Sequence, residues 1–125
     1  MRSLWHSRTQ LPHFPELSGD KKTDVLIIGG GITGILTAYL LQQSGVDHLL
    51  VEKGRLCSGT TGNTTAKITC QHGLVYQDIL RSYGVKKARH YLLANKAAFD
   101  MYAALCKNID CDYERRDNYV YTFSD

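Results

Sequence analysis

Three glycines stand at the spacing G-x-G-x-x-G, at Gly29, Gly31 and Gly34 of the run GGGITG. The spacing suits a nucleotide diphosphate because each glycine meets a different need. The first permits a tight turn out of a strand, the second lets phosphates approach the backbone, and the third lets a helix pack closely on the strand. Glu52 follows 18 residues after Gly34, where a carboxylate can accept hydrogen bonds from ribose hydroxyls. The pattern predicts a dinucleotide site.

The elements that must position these residues are a strand, a helix and a second strand. The short run 23–28, TDVLII, is rich in β-branched residues and predicts a strand buried on both faces. Apolar residues then recur at helical spacing over 32–44, with Gly45 as the stop, and 48–52 predicts another strand. The three elements fit into about 30 residues, the size of a βαβ unit. The predicted fold class is therefore α/β, with a Rossmann-like βαβ dinucleotide-binding unit.

Two segments without clear periodicity flank this unit. Residues 1–22 are polar and carry Pro12 and Pro15, which predicts an irregular N-terminal arm that Trp5 and Phe14 anchor to the body. Residues 58–67, SGTTGNTTAK, are small, polar and broken by glycine, which predicts a loop with many free backbone N–H groups. Such a loop offers hydrogen-bond donors to a ligand.

The C-terminal half is predicted to be helical and to end in a hairpin. A short helix is expected over 74–83, ended by Gly84, and a long one over 86–108. One face of the long helix carries residues at helical spacing: Ala88, Tyr91, Leu92, Asn95, Phe99, Tyr102 and Cys106. Two tyrosine-containing stretches, 111–115 and 119–123, predict a β-hairpin.

Composition excludes several classes of protein. The chain has 125 residues, 43% hydrophobic and 22% charged, which is ordinary for a globular protein and excludes collagen, coiled coil and general disorder. The longest aliphatic run, 25–28, is far shorter than the roughly 20 residues that span a bilayer. Residues 1–15 lack the apolar region of a secretory signal, so we expect a cytoplasmic protein. A net charge of +3 is too small and too scattered to indicate nucleic-acid binding.

The four cysteines form no CxxC pair and are predicted to be reduced thiols. Cys70 and His72 form a CxH triplet, which is half of the ligand set of a Rieske cluster. The matching CxxH is absent from the 125 residues, so no metal site is predicted within them.

The glycine pattern by itself does not distinguish FAD from NAD, because both present the same ADP half. Glu52 argues against binding of NADP, because its negative charge would repel the 2′-phosphate. The loop 58–67, in place of a further helix and strand, favours FAD, whose ribityl chain and flavin need close backbone donors. Two alternatives stay open: an NAD-binding module of a dehydrogenase, and a non-catalytic binding domain with a vestigial glycine motif.

Three stretches of the sequence resemble a known protein family. The stretches DVLIIGGGITGILTAYLLQQSG, LLVEKGRLCSGTTG and TTAKITCQHG resemble the N-terminal part of FAD-dependent oxidoreductases of the D-amino-acid oxidase (DAO) family, which includes glycine oxidase. The third stretch most resembles a bacterial subgroup that carries a C-terminal Rieske [2Fe–2S] domain. The resemblance covers residues 23–73 most strongly.

The resemblance implies a role for each matching position. FAD pyrophosphate would contact the turn at the start of the helix, and Glu52 would hold the adenosine ribose, with Lys53 and Arg55 near the adenosine. The loop would contact phosphate, ribityl and flavin, and Lys67 near the flavin N1–C2 edge would stabilise the anionic reduced flavin. The full implied cofactor set is Gly29, Gly31, Ile32, Thr33, Gly34, Glu52, Lys53, Arg55, Ser58, Thr60, Thr61, Gly62, Thr65, Ala66 and Lys67.

The resemblance also implies an activity and a domain order. The family oxidises amine or amino-acid-like small molecules by hydride transfer to flavin N5. It implies an arm over 1–22, a partial FAD domain over 23–110 and the start of a substrate-domain sheet over 111–125. The Rossmann-like unit is therefore expected to be incomplete, and the catalytic residues and any [2Fe–2S] cluster are expected outside these 125 residues. No catalytic residue or oligomeric state is predicted.

Overall fold

The computed structural model describes residues 3–121 of the chain. The backbone forms two compact units, residues 1–65 and residues 66–125, each with its own internal contacts. The glycine motif and Glu52 lie in the first unit, and the predicted C-terminal helices lie in the second.

The first unit contains the predicted βαβ unit. Strand β1 (Val25–Ile28) leads into helix α2 (Ile32–Gln43), and strand β2 (His48–Val51) returns parallel to β1. The register pairs Val25 with His48 and Ile28 with Val51. Helix α2 ends at Gln43 with Ser44 as its C-cap, and Gly45 directly after the cap has a φ of 68°, the left-handed conformation of a helix stop. The predicted order, type and parallel pairing of these elements are therefore confirmed, with boundaries shifted by at most two residues.

The expectation that β1 is buried on both faces is wrong for the residues described. Burial alternates along the strand, with Leu26 54% exposed and Ile28 81% exposed, because only β2 and α2 cover it in this part of the chain. No hydrophobic side chain among residues 3–121 is buried. The two buried residues that the structure describes are both glycines, Gly30 and Gly62.

The N-terminal arm is not wholly irregular, which corrects the sequence prediction. Residues Leu4–Arg8 form a short helix, α1, whose N-cap Ser3 accepts a hydrogen bond from the Trp5 amide. Helix α1 contacts a 3₁₀ turn at Thr61–Asn63, inside the predicted loop. Trp5 anchors the arm as expected, through a hydrogen bond from its ring N–H to the Thr64 carbonyl, whereas Phe14, the other expected anchor, is 63% exposed.

The second unit is dominated by helix α3, Val75–Cys106. Gly84 interrupts this helix with a φ of 76°, at the break predicted between two helices. The predicted face of the long helix is half-buried, except for Leu92, which is 45% exposed. Among residues 3–121, no helix is long and apolar enough to cross a membrane.

The predicted hairpin does not form in the part that the structure describes. Residues 111–121 contain no strand, and the rest of the second predicted strand, residues 122–123, lies outside the described range. Asn118 instead donates to the Thr69 hydroxyl at 2.9 Å, within the same unit.

Candidate functional site

The glycine turn between β1 and α2 has the geometry that the motif predicts. Gly29 has a φ of 113° and donates to the Val51 carbonyl at 2.8 Å, which continues the parallel pairing for one more residue. A Cβ on Gly34 would overlap the Gly29 carbonyl oxygen and lie 3.4 Å from Cγ2 of Ile27. The third glycine therefore permits the close approach of α2 to β1, as the motif requires.

The N-terminus of α2 presents unpaired amides. Gly31 is its N-cap and has no side chain to cap the helix. The Ile32 N–H donates to the Thr61 hydroxyl at 2.9 Å, but the N–H groups of Thr33 and Gly34 have no partner among residues 3–121. A helix N-terminus carries about half a positive charge, and free amides there bind phosphate oxygens. These amides and the glycine backbone around them fit a diphosphate.

Glu52 lies beside this turn, directly after β2. Its Oε2 accepts from the Gly30 N–H at 2.7 Å and its Oε1 from the Gly54 N–H at 2.9 Å. The hydrogen bond from Gly30, followed by that from Gly54, lowers the pKa of the Glu52 carboxyl from its ordinary value, so it is ionised at neutral pH. An ionised carboxylate has about four acceptor sites, so Glu52 keeps acceptor capacity for ribose hydroxyls.

Gly30 is the main site residue that the sequence reasoning missed. It is buried, its N–H donates to Glu52, and its carbonyl accepts from the Cys57 N–H at 2.9 Å. A Cβ on Gly30 would overlap Leu56 and lie 3.1 Å from Cβ of Glu52. The signal was the uninterrupted triplet GGG, since the G-x-G-x-x-G pattern leaves its second position open. Burial raises the pKa of the Cys57 thiol, which keeps it protonated beside this turn.

The remaining predicted cofactor residues of the first unit fall on the segment after β2. Thr61 is half-buried against the start of α2: a Cβ on Gly31 would lie 3.3 Å from its hydroxyl oxygen. Gly62 is buried. The others are exposed: Lys53, Arg55, Ser58, Thr60 and Thr65. The structure thus brings the glycine turn, Glu52 and Thr61 together.

Ala66 and Lys67 belong to the second unit, so the structure does not place them with the glycine turn. Both are exposed, and Ala66 has a φ of 55°, an uncommon conformation for a residue with a side chain. Their predicted approach to the flavin stays a prediction.

The CxH triplet also lies in the second unit. The Tyr76 hydroxyl donates to the Cys70 carbonyl at 2.6 Å, and the Tyr91 hydroxyl lies 3.2 Å from Nδ1 of His72. All four cysteines are free thiols, as predicted. Within residues 3–121, no group of three or more histidine, cysteine, aspartate and glutamate side chains is arranged to hold a metal ion.

Comparison with known proteins identifies the family to which the chain belongs. Residues 24–125 match the family model described as "DAO: FAD dependent oxidoreductase". The chain is 43% identical over 122 residues to the "Putative Rieske 2Fe-2S iron-sulfur protein YhfW" of Bacillus subtilis, covering 96% of this chain and 24% of that protein. It is 28% identical over 102 residues to the "Gamma-glutamylputrescine oxidoreductase" of Escherichia coli, covering 80% of this chain and 24% of that protein.

A third relative shares a shorter region. The "Probable oxidoreductase OrdL" of Rhizobium meliloti is 42% identical over 60 residues, which cover 46% of this chain and 14% of that protein. No solved structure matches the chain. The chain thus spans a quarter or less of the length of these relatives. The family match and the glycine turn agree: the chain belongs to the DAO family of FAD-dependent oxidoreductases.

Proposed function

We propose that this chain forms the FAD-binding part of an oxidoreductase that oxidises an amine or amino-acid-like small molecule. In that reaction the carbon beside the nitrogen gives up a hydride, which carries two electrons, and a C=N bond forms. FAD, the family's cofactor, supplies the hydride acceptor at flavin N5. The substrate class is supported by the name of the Escherichia coli relative, an oxidoreductase of gamma-glutamylputrescine.

The observation that carries the proposal is the pair of free amides at the start of α2. The N–H groups of Thr33 and Gly34 have no partner among the residues described, and the glycines before them leave the backbone open. We infer that these groups bind the FAD diphosphate and that Glu52 accepts hydrogen bonds from the adenosine ribose. In this assignment the backbone of Gly29, Gly31 and Ile32 surrounds the diphosphate.

The flavin end of the cofactor distinguishes this proposal from an NAD-binding module. Both dinucleotides place an ADP half on such a turn, so only the groups further along the ligand differ. We infer that Ser58, Thr60, Thr61 and Gly62 contact the phosphate and ribityl groups, with Lys53 and Arg55 near the adenosine. Thr65, Ala66 and Lys67 would approach the flavin, where a lysine charge favours the anionic reduced form.

Titration of the purified chain with FAD tests the proposal. Flavin fluorescence should change with one-to-one stoichiometry, and NAD should not compete at equal concentration. Gly31→Val should abolish binding, because its side chain would enter the space of the phosphates and meet Thr61. Gln43→Val, at the opposite end of α2, is the matched control and should bind as the wild type does.

Two results would contradict the proposal. Binding of NAD without binding of FAD would favour a dehydrogenase module. A well-folded chain that binds neither dinucleotide would favour a non-catalytic domain with a vestigial motif.

We also infer that a [2Fe–2S] cluster is bound outside residues 1–125 in the protein that contains this chain. The support is the name of the Bacillus subtilis relative, a putative Rieske 2Fe-2S protein that the chain matches over 96% of its own length. Such a cluster would accept electrons from the reduced cofactor. The test is the coding sequence beyond residue 125: an in-frame C-x-H and C-x-x-H pair supports the inference, and an immediate stop codon contradicts it.

A further inference from the structure

The N-terminal helix is hydrogen-bonded to the segment that follows strand β2. We call Ser3–Arg8 the N-terminal strap and residues 57–64 the cofactor loop. Three strap side chains reach three carbonyl groups of the loop, 51 to 59 residues away in sequence. These hydrogen bonds are Ser3 Oγ to the Gly62 carbonyl, Trp5 Nε1 to the Thr64 carbonyl at 2.8 Å, and His6 Nε2 to the Cys57 carbonyl at 3.0 Å. A carbonyl only accepts, so His6 donates from Nε2.

The strap also explains why Gly62 is one of the two buried residues. A Cβ at this position would overlap the His6 ring and the Cys57 carbonyl oxygen. The ring of His6 therefore lies directly on the backbone of the loop, and only a glycine leaves room for it. Neither the family model, which begins at residue 24, nor the glycine motif, which begins at Gly29, includes the strap side of this contact.

The opposite side of the same loop contacts the diphosphate site. Thr61, next to Gly62, accepts the Ile32 N–H at the start of α2, and the Cys57 N–H donates to Gly30 at 2.9 Å. Two of the three residues held by the strap are linked to the glycine turn in this way: Cys57 bonds to it directly, and Gly62 adjoins Thr61, which does so. Because the loop lacks regular structure beyond the 3₁₀ turn Thr61–Asn63, these contacts set its position.

We propose that the N-terminal strap is a positioning element of the FAD site, which fixes the cofactor loop before the cofactor binds. The inference rests on the proposed function, since it assigns FAD to this turn. A preorganised loop lowers the ordering cost of binding. Without the strap, only a fraction of the molecules hold the loop in the conformation that binds FAD. The apparent Kd for FAD then equals the intrinsic Kd divided by that fraction.

Variants of the strap test this proposal in the full chain. Trp5→Ala and His6→Leu should each weaken FAD binding about tenfold, the change in Kd that about 1.4 kcal/mol produces. His6→Gln keeps a side-chain N–H donor and should restore part of the affinity. The matched control is Phe14→Ala, an aromatic residue of the same arm that lies outside the strap and is 63% exposed.

Hydrogen exchange in the absence of FAD gives a readout that does not depend on the cofactor. In Trp5→Ala, the amides of residues 57–64 should exchange faster, while those of β1 and β2 stay as protected as in the wild type. A merely structural role would raise exchange throughout the first unit.

The outcomes separate this inference from the proposed function. Strap variants that bind FAD as tightly as wild type and Phe14→Ala would overturn the inference and leave the proposed function standing. A folded wild-type chain that binds no FAD would overturn both. If Trp5→Ala does not fold, the comparison of His6→Leu with His6→Gln decides.

Discussion

The close approach of α2 to β1 at Gly34 predicts that Gly34→Ala is destabilising, although alanine is the better helix former. At a sterically free helical position, exchanging glycine for alanine stabilises by about 1 kcal/mol. At Gly34 the added methyl would overlap the Gly29 carbonyl oxygen and lie 3.2 Å from the Gly29 carbonyl carbon. The Gly29 backbone cannot easily yield, because its N–H is bonded to Val51 at 2.8 Å. The helix must therefore move away from β1.

The magnitude follows from the balance of these two effects. Forcing an extra methyl into a filled position costs about 1–3 kcal/mol, against the gain of about 1 kcal/mol in helix propensity. We expect a net loss of up to about 2 kcal/mol in the free energy of unfolding of the first unit, because the overlap is with backbone atoms. The matched control is Gly59→Ala, where a Cβ would meet nothing within 4 Å, so its expected effect is near zero.

Urea denaturation followed by tryptophan fluorescence measures this change. Trp5 is the single tryptophan of the chain and is bonded to Thr64 in the first unit, so its emission reports the unfolding of that unit. A Gly34→Ala chain that is more stable than wild type would refute the reasoning, since it would mean that α2 does not approach β1 this closely.

Three further predictions concern individual side chains, two in the glycine-turn site and Lys67 in the second unit. The lowered pKa of Glu52 means that its ionised form stabilises the fold above the ordinary glutamate pKa of about 4.3 and that this contribution is lost as the pH falls through the lowered value. Glu52→Gln should therefore make the melting temperature fall less steeply at acid pH than in the wild type, whereas the exposed control Glu16→Gln should not change this fall. The same dependence of melting temperature on acid pH in wild type and Glu52→Gln would contradict the prediction. Thr61→Val removes the acceptor of the Ile32 N–H and should lower the free energy of unfolding in urea by about 1 kcal/mol, whereas Thr61→Ser keeps a hydroxyl and should cost less. Equal losses in the two variants would show that the hydroxyl does not stabilise the fold through this hydrogen bond. Lys67→Met should lower the reduction potential of the bound flavin in a dye-equilibration titration, and an unchanged potential would remove Lys67 from the flavin site.

The βαβ unit was predictable because local signals agree with one another there. The run at 25–28, the glycine triplet and the periodic helix after it each predict the same connection, and Gly84 marks the break in α3 for the same local reason. The boundaries of β1 and β2 shifted slightly because strand ends depend on the pairing partner, which single residues do not specify.

The strap and the burial pattern were not predictable, because they depend on distant contacts. Helix α1 has five residues, which are too few for a helix that is stable by itself. Side chains of the strap form hydrogen bonds with carbonyl groups more than 50 residues further along the chain. The alternating exposure of β1 depends on which elements cover it. Gly30 and Gly62 are buried through neighbours that no spacing rule encodes, namely Leu56 and His6.

The central claim is that the free amides at the start of α2 bind the diphosphate of FAD. A 125-residue chain suits amide-resolved NMR, and a titration with FAD followed by ¹H–¹⁵N correlation spectra tests the claim at single groups. We expect the amide protons of Thr33 and Gly34 to shift downfield on adding FAD, and also on adding ADP, but not on adding adenosine, which lacks the phosphates. Unchanged Thr33 and Gly34 signals at saturating FAD would contradict the claim.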